Sequence, residues 1–355
     1  MKSKRWALSV MGVSFVVLCV IAAVMIVVDP YFHYHAPLEG LSYTMEDFEY
    51  TNDGITKNFD YNMVITGDSG TTGFSKVVAD ELFNAKSIRV TFLGEGFKRI
   101  NDNLQVALDA NDVQIVIRDI GTLFFVTDED WLGYDEYPEY IYDDDLWNDV
   151  YYVLNGEILC NTLIPELVRT IKKEQVKSFD EYIYQYGKVG DREIVLSSYE
   201  RKPKENKEIS EEETEEMFYM LDKNLQKNVI KIVEENPDVT FYLFFPPYSI
   251  LWWDQFNQSG SGRLERRIQM EQFAIEKILP YDNVRLFSFN AEDELICNLD
   301  NYVDDIHYSS DICTQIMVWM KDGKYELTEE NYMGYIDNLY EFLCSYDYDA
   351  IFEEQ

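Results

Sequence analysis

Tyr61-Asn62-Met63-Val64-Ile65-Thr66-Gly67-Asp68-Ser69-Gly70 is the stretch that decides the fold of this chain. An apolar, β-branched run ends at Gly67, small residues follow up to Gly73, and apolar side chains then recur with near-helical spacing. This order predicts a strand, a tight turn and a helix. Ser69 would lie at the carboxyl end of the strand, where an open α/β sheet has its crevice. Its hydroxyl either points into that crevice or caps the following helix.

Four further strands are predicted, and helical patterns separate the strands from one another. The five predicted strands, all rich in β-branched or aromatic residues, are Asn62–Thr66, Ser87–Phe92, Val113–Arg118, Thr240–Phe245 and Val284–Phe289. Helices are predicted over Phe74–Phe83, Arg99–Leu108 and Arg263–Leu279. This alternation predicts an α/β fold with a mostly parallel five-stranded sheet and helices on both faces.

The connection over residues 127–236 is far longer than a crossover requires, and it is predicted to be a cap insertion beside the crevice. Its first half is rich in tyrosine and acidic residues, which either stack on sugars or simply pack as a lid. Ser210 and Glu213 form a capping box before a long helix. The other predicted segments are an anchor (1–28), a juxtamembrane segment (29–59), the α/β domain (60–126 and 237–322), and a C-terminal helix with an acidic tail (323–355).

The N-terminal segment predicts a membrane anchor. Lys2, Lys4 and Arg5 precede an apolar run, Trp6–Val28, that is long enough to cross a bilayer. Positive charge ahead of the run predicts a cytoplasmic N-terminus with the rest of the chain outside. A cleaved signal peptide is the alternative. The lack of a small-x-small cleavage site before Asp29 favours a single-pass anchor.

The charge and the metal-binding residue types exclude some functions. A formal net charge of -36 would repel the phosphates of nucleic acid. The spacing of Cys160, Cys297, Cys313 and Cys344 matches no zinc pattern, so we interpret them as mostly buried, small hydrophobic residues. His33 and His35 are interpreted as part of an aromatic belt at the membrane surface. No metal or cofactor is predicted.

A second segment, Asn301–Tyr308, follows the last predicted strand and carries His307, the third histidine of the chain. Its loop should emerge at the same sheet edge as Ser69. A serine nucleophile needs a base, and the base needs an acid that fixes its tautomer. Ser69, His307 and Asp304 can supply these three functions. The alternative is that His307 is an ordinary loop histidine. A trypsin-like site is excluded because Ser69 precedes every suitable histidine and opens an α/β unit.

The loop after the fourth strand contains apolar and aromatic residues at this same edge. It is predicted either to form a substrate pocket or to be a rigid, buried loop. The candidate pocket residues, together with the acid before the serine, are Asp68, Tyr248, Trp252 and Trp253.

Gly67-Asp68-Ser69 and Asp304-x-x-His307 resemble the SGNH/GDSL hydrolase superfamily over residues 60–322. The anchor and layout are similar to those of the D-alanine-transfer protein of teichoic acid operons and of alginate acetylation proteins. The resemblance implies a flavodoxin-like three-layer α/β/α sandwich and an acyl-serine intermediate. It also implies an oxyanion hole made by the Ser69 N–H, a glycine after the second strand, and an asparagine after the third.

Of the glycine and the asparagine in that oxyanion pattern, the sequence supplies the first and not the second. Gly94 or Gly96 fits the glycine, but Asp119 stands where the asparagine is expected. An ionised Asp119 would repel a developing oxyanion, which calls for a hydrogen-bond donor.

These observations predict a membrane-anchored extracytoplasmic serine acyl esterase or O-acyltransferase. Its expected substrate is an acylated cell-envelope carbohydrate or polyol polymer, and its expected partners are that polysaccharide and a membrane-bound acyl-transfer protein. The alternative is a glycan-binding or scaffolding protein of the same fold with a decayed site.

Overall fold

The structure, a computed structural model, describes residues 2–45, 47–133, 137–174 and 190–353. This part of the chain is mixed α/β and contains one six-stranded sheet. Its strands are β1 (Met63–Gly67), β2 (Ser87–Thr91), β3 (Ile115–Asp119), β4 (Thr240–Phe245), β5 (Val284–Ser288) and β6 (Glu326–Leu327). Its helices are α1 (Lys2–Val28), α2 (Phe48–Asn58), α3 (Lys76–Phe83), α4 (Phe97–Ala110), α5 (Glu139–Tyr142), α6 (Val150–Val153), α7 (Gly156–Ile158), α8 (Ile164–Lys172), α9 (Arg192–Ser198), α10 (Glu211–Leu225), α11 (Lys231–Glu235), α12 (Ile250–Gln258), α13 (Arg263–Ile278), α14 (Asp293–Ile296), α15 (Ser310–Asp322), α16 (Tyr332–Ser345) and α17 (Ala350–Glu353).

The sheet has the strand order β2-β1-β3-β4-β5-β6. β1 to β5 are parallel, and β6 pairs with β5 in the antiparallel sense. The prediction of five strands is therefore corrected to six. The two residues of β6 were missed because so short a strand shows no alternation of apolar and polar residues.

The five predicted strands all form, with ends within two residues of those expected. β1 and β2 are buried along their whole length. Strands of a parallel sheet that are covered on both faces have nearly continuous apolar sequences, which is why this pattern was readable.

The strand order places the loops that matter at one edge. β2 lies on one side of β1 and β3 on the other, so the order of connection reverses at β1. In open parallel sheets this reversal opens a crevice at the carboxyl ends of the strands. Ser69 follows β1 and Asp119 ends β3, so both lie at this point.

The described chain divides into two compact units. The first contains residues 2–45, 47–59 and 137–174, and the second contains residues 60–133 and 190–353. The predicted cap, 127–236, is thus divided between the two units. Parts of the predictions lie outside the described residues, namely residue 1 of the anchor, residue 46 of the juxtamembrane segment, residues 134–136 and 175–189 of the cap, and residues 354–355 of the tail.

The first unit begins with an apolar helix. The segment Ser3–Val28 of α1 has a mean hydropathy of 3.0 and is long and apolar enough to cross a membrane. Beyond it, the buried Asp29 carboxylate accepts hydrogen bonds from the backbone N–H groups of His33 at 3.0 Å and Tyr34 at 2.7 Å. The Tyr152 hydroxyl also donates to Asp29, at 2.8 Å. The start of the juxtamembrane segment therefore folds around the buried Asp29 carboxylate.

Two smaller interpretations are corrected here. Tyr31 and Phe32, which directly precede His33 of the expected aromatic belt, are buried inside the first unit. His33 pairs with Asp149 at 3.2 Å, and within the described ranges no group of three or more His, Cys, Asp or Glu residues could hold a metal ion. Of the cysteines interpreted as mostly buried, Cys160 and Cys344 are exposed.

Candidate active site

The turn after β1 leaves the Ser69 hydroxyl free of any capping role. The Asp68 carboxylate accepts a hydrogen bond from the Gly70 N–H at 2.7 Å and so caps the short 3-10 turn Ser69–Thr71. The next helix, α3, is capped by Ser75, whose hydroxyl accepts from the Val78 N–H at 3.2 Å. Asp68 and Ser75 therefore cap these two elements, so the Ser69 hydroxyl is not needed as a cap and can act as a nucleophile.

The loop before α15 holds His307 in a fixed orientation. One oxygen of the Asp304 carboxylate accepts from the backbone N–H groups of Ile306 at 2.9 Å and His307 at 2.7 Å. Its other oxygen lies 2.7 Å from Nδ1 of His307. Nε2 of His307 lies 2.7 Å from Oγ of Ser69. The two segments far apart in sequence therefore form one hydrogen-bonded line of hydroxyl, imidazole and carboxylate.

The electrostatics of this line suit proton transfer. Burial would lower the pKa of His307, but its hydrogen bond to Asp304 and the charges of Asp304, Asp68 and Asp305 raise the pKa above its ordinary value. Burial would raise the pKa of Asp304, but the hydrogen bonds from His307 outweigh it and lower that pKa. An ionised Asp304 holds the proton on Nδ1, so Nε2 presents its lone pair to the Ser69 hydroxyl and can accept its proton.

Asp119 lies beneath the turn rather than in the crevice. The Asp68 N–H donates to its two carboxyl oxygens at 3.1 and 3.3 Å. A Cβ at Gly67 would lie 2.1 Å from an Asp119 oxygen, so only glycine fits there. Burial, together with the nearby Asp68 charge, raises the pKa of Asp119 well above its ordinary value. The raised pKa favours the uncharged acid, which repels an oxyanion less than a carboxylate does.

A cavity of about 70 Å³ opens beside Ser69. The residues that line it are Asp68, Ser69, Gly70, Leu123, Pro246, Tyr248, Ile306, His307 and Tyr308. Of the predicted pocket residues, Asp68 and Tyr248 line this cavity, whereas Trp252 and Trp253 do not. Trp252 is buried behind Tyr248, with ring centroids 4.3 Å apart, and Trp253 is also buried.

The predicted oxyanion glycines, Gly94 and Gly96, lie in and after the turn that follows β2. Gly94 adopts a φ of +66° in the turn after β2. Gly96 is the N-cap of α4, and a Cβ on it would lie 2.7 Å from the Trp131 ring. Neither glycine lines the cavity next to Ser69.

Tyr308 is the main residue that sequence reasoning missed. It lines the cavity and is only 6% exposed. Its position directly after His307 was the available signal, but one aromatic residue in a loop is as compatible with packing as with a site. Leu123, Pro246 and Ile306 complete the apolar wall, and no sequence pattern marked them.

A larger cavity of about 350 Å³ lies in the same unit. Its lining is rich in carboxylate, amide and aromatic groups, and comprises Tyr199, Glu200, Lys202, Pro203, Glu205, Gln255, Phe256, Gln258, Ser259 and Asp305. Asp305 lines this cavity, whereas the next two residues, Ile306 and His307, line the smaller one. One short loop therefore contributes to both cavities.

Comparisons with known proteins give limited information. No protein-family model matches the chain. No curated protein matches it. Among solved structures, a Streptococcus pneumonia protein provisionally described as a platelet activating factor matches with a TM-score of 0.38 and 12% sequence identity. The match covers 79% of this chain and 92% of that chain. At this TM-score the match carries no functional argument for this chain.

Proposed function

We propose that this protein is a serine esterase or O-acyltransferase whose reaction passes through an acyl-serine intermediate. The observation that carries the proposal is the line from the Ser69 hydroxyl through the His307 imidazole to the Asp304 carboxylate, with 2.7 Å at each link. A serine hydroxyl becomes nucleophilic when a base within hydrogen-bond reach takes its proton. A cavity of a size suited to an acyl group adjoins the same hydroxyl.

The proposed reaction has two halves. Ser69 Oγ attacks the carbonyl carbon of the ester while its proton moves to Nε2 of His307. The resulting imidazolium is stabilised by Asp304 and gives that proton to the departing alkoxide. Water or an acceptor hydroxyl then attacks the acyl-serine while His307 takes its proton, the bond from the acyl carbon to Ser69 Oγ breaks, and His307 returns the proton to Ser69.

The size of the cavity supports a short acyl group. A volume of about 70 Å³ holds roughly five water-sized groups, since each needs about 10–15 Å³ by the same measure. An acetyl or similarly short acyl group fits this space, and a long fatty acyl chain does not. The apolar wall made by Leu123, Pro246 and Ile306 suits a methyl group.

The resemblance to SGNH/GDSL hydrolases and the apolar α1 extend the proposal. The strand order β2-β1-β3-β4-β5 supports a flavodoxin-like three-layer sandwich. We propose that α1 anchors the protein in the membrane with the second unit on the outer side. The substrate would be an acylated envelope carbohydrate or polyol polymer, and a membrane-bound protein would supply or receive the acyl group.

The test compares ester turnover by the detergent-solubilised full chain. We expect p-nitrophenyl acetate to be hydrolysed, p-nitrophenyl palmitate to be hydrolysed far more slowly, and Ser69→Ala to be inactive. Ser75→Ala is the matched control, because this serine only caps α3 and its loss should cost about 1 kcal/mol of stability without changing turnover. Equal activity of Ser69→Ala and the wild type would contradict the proposal.

A second candidate function is glycan binding without chemistry. The larger cavity favours it, because amide and carboxylate groups beside the Tyr199 and Phe256 rings suit the hydroxyls and faces of a sugar. Two results together would support this function over the first. The wild type would hydrolyse no ester, and both the wild type and Ser69→Ala would bind envelope polysaccharide.

A further inference from the structure

The first unit carries an exposed apolar patch around α6. The Tyr151 N–H donates to the Asn148 carbonyl oxygen at 2.9 Å, and the Leu154 N–H donates to that of Val150 at 3.2 Å, so this segment is helical. Side chains three or four positions apart therefore lie on one side of it. Trp147 is 91% exposed, although large apolar side chains are usually covered. The members of the apolar patch are Leu146, Trp147, Val150, Tyr151 and Leu154.

The opposite side of α6 is fixed near the end of α1. Tyr152 is fully buried, and its hydroxyl donates to Asp29, the residue directly after α1, at 2.8 Å. α6 and the π-helical turn Leu159–Leu163 both pack against α1. The apolar patch is thus the free side of a helix whose other side is held beside α1.

Burial along α1 shows where on the helix this packing occurs. Residues 3–20 are exposed, Ile21 is half-buried, and Met25 and Val28 are buried. The covered part, from Ile21 onwards, is about 10 Å long at 1.5 Å per residue. The whole apolar run Trp6–Val28 is about 34 Å long, against roughly 30 Å for the hydrocarbon core of a bilayer. When α1 spans a bilayer, α6 therefore lies level with the boundary between acyl chains and headgroups.

The side chains of the apolar patch suit that boundary. Trp and Tyr are enriched at membrane interfaces, because each combines an apolar ring with one polar atom that can stay in water. Residues 146–154 contain no Lys or Arg, and the three exposed acids Asp143, Asp144 and Asp145 directly precede them. Attraction to anionic lipid therefore cannot hold the patch to a membrane, whereas burial of its apolar area can.

We propose that the apolar patch inserts into the membrane leaflet at the C-terminal end of α1, beside that helix. The partner is the interface of a lipid bilayer, which the patch binds through apolar area and not through headgroup charge. The first unit is then attached at two points, α1 and the patch, and cannot turn freely about a single helix. This inference rests on the proposed membrane insertion of α1 and is independent of the proposed acyl chemistry.

The experiment locates the Trp147 ring by fluorescence quenching. The full chain is reconstituted into phosphatidylcholine vesicles with or without bromine atoms on the acyl chains. The emission of Trp147 is the difference between the wild type and Trp147→Phe, a variant that should fold normally because this ring is exposed. We expect brominated lipid to remove most of this emission, and iodide in the water to remove little. Bromines near the headgroup end should quench more than bromines near the chain ends, because an interfacial helix enters by only about 5–10 Å.

Two other tryptophans are the controls, each measured through its own Trp→Phe difference. Trp6 begins the apolar run of α1, so brominated lipid should quench it when α1 spans the bilayer. Trp131 belongs to the second unit and is 36% exposed, and brominated lipid should leave its emission unchanged. Adding Tyr151→Trp to Trp147→Phe moves the reporter one turn along the patch and should restore the quenching.

The outcomes separate the patch from the helix. Trp147 quenched by iodide and not by bromine, with Trp6 quenched by bromine, shows that the patch faces water and overturns the proposal. Protection of Trp147 from both quenchers shows that a second copy of the chain covers the patch, which also overturns it. Equal quenching of Trp131 by bromine would mean that the contact is not particular to this patch.

Two further results would also contradict the proposal. Stronger quenching of Trp147 when phosphatidylglycerol replaces part of the phosphatidylcholine would make the contact electrostatic rather than apolar. Trp6 that bromine does not quench would show that α1 is not inserted, which removes the basis of the inference. Neither result affects the comparison of ester turnover between the wild type and Ser69→Ala.

Discussion

Two clusters of buried polar side chains lie near the carboxyl ends of strands of the same sheet, and they differ in how their hydrogen bonds are met. The site cluster consists of Asp68, Asp119, Tyr248 and Tyr308. The core cluster, near the end of β5, consists of Glu271, Ser288, Asn290 and Tyr335. In the core cluster the Glu271 carboxyl accepts from Ser288 at 2.9 Å, Asn290 at 3.1 Å and Tyr335 at 2.5 Å.

In the site cluster the phenolic protons have no acceptor within the described chain. Hydrogen-bonded buried networks stabilise a fold, whereas an unsatisfied buried donor costs about 1–3 kcal/mol. In the core cluster the buried atom without a partner is an acceptor, Oδ1 of Asn290. The comparison shows how two groups of similar residue types serve different ends. The core cluster holds α13 and α16 to the sheet through the Glu271 carboxyl, whereas the site cluster leaves two phenolic protons without an acceptor in the described chain.

The largest expected effect is a loss of catalytic activity. A change in the Ser69–His307–Asp304 line should cause it, and a change in the core cluster should not. Asp304→Asn should lower kcat by on the order of 10⁴-fold, because an amide no longer holds the proton on Nδ1 of His307. Turnover of p-nitrophenyl acetate measures this loss. Glu271→Gln is the matched change in the core cluster, and its kcat should equal that of the wild type. Similar kcat values for Asp304→Asn and the wild type would show that the line does not pass protons.

The next effect is a loss of stability, which we expect when a hydroxyl of the core cluster is removed and not when one of the site cluster is. Tyr335→Phe should lower the free energy of unfolding by about 1.5–3 kcal/mol, since it removes a hydrogen bond to a buried carboxyl. Urea denaturation measures it, with Tyr248→Phe beside it. If Tyr248→Phe were destabilised as much as Tyr335→Phe, the hydroxyls of the two clusters would not differ as described.

A smaller effect concerns the protonation of Asp119. Its folded pKa lies above the unfolded value of about 3.9, so its stabilising contribution is complete below that pH and is lost as pH rises towards the folded pKa. Asp119→Asn cannot ionise and escapes this loss. The variant should therefore gain on the wild type between pH 4 and pH 8 in urea denaturation, by about 1.4 kcal/mol for each pH unit between the unfolded and folded pKa values. A gain that shrinks with pH would show that Asp119 is ionised in the folded protein.

The smallest effect concerns the pH dependence of activity. His307 must be neutral to accept the Ser69 proton, so kcat/KM should rise with pH, with a midpoint above about 6.5 because the pKa of His307 is raised. Asp305→Asn removes one of the charges that raise this pKa and should lower the midpoint. A wild-type midpoint below 6.5 would contradict the described environment of His307.

The sequence was most informative where local chemistry dictates structure. The five long strands could be predicted because burial on both faces demands continuous apolar runs. The serine turn and the Asp304-x-x-His307 loop could be placed at one edge because parallel strands end together. β6 could not be predicted, because its position depends on pairing with β5 and not on its own two residues.

The residues around the nucleophile were harder to predict. Trp252 looked like a pocket residue by composition, but it packs behind Tyr248 in the core. Tyr308 gave no signal, because whether a buried hydroxyl has an acceptor depends on the three-dimensional packing of several loops. The same holds for Asp119, whose direction follows from its close approach to Gly67.

The most direct test of the central claim is covalent labelling of the full chain with a fluorophosphonate probe, followed by peptide mass spectrometry. The Ser69–His307–Asp304 line predicts a single modified serine, Ser69, with labelling abolished in His307→Ala and retained in Ser75→Ala. Folded protein that remains unlabelled, or that is labelled equally well without His307, would contradict the claim.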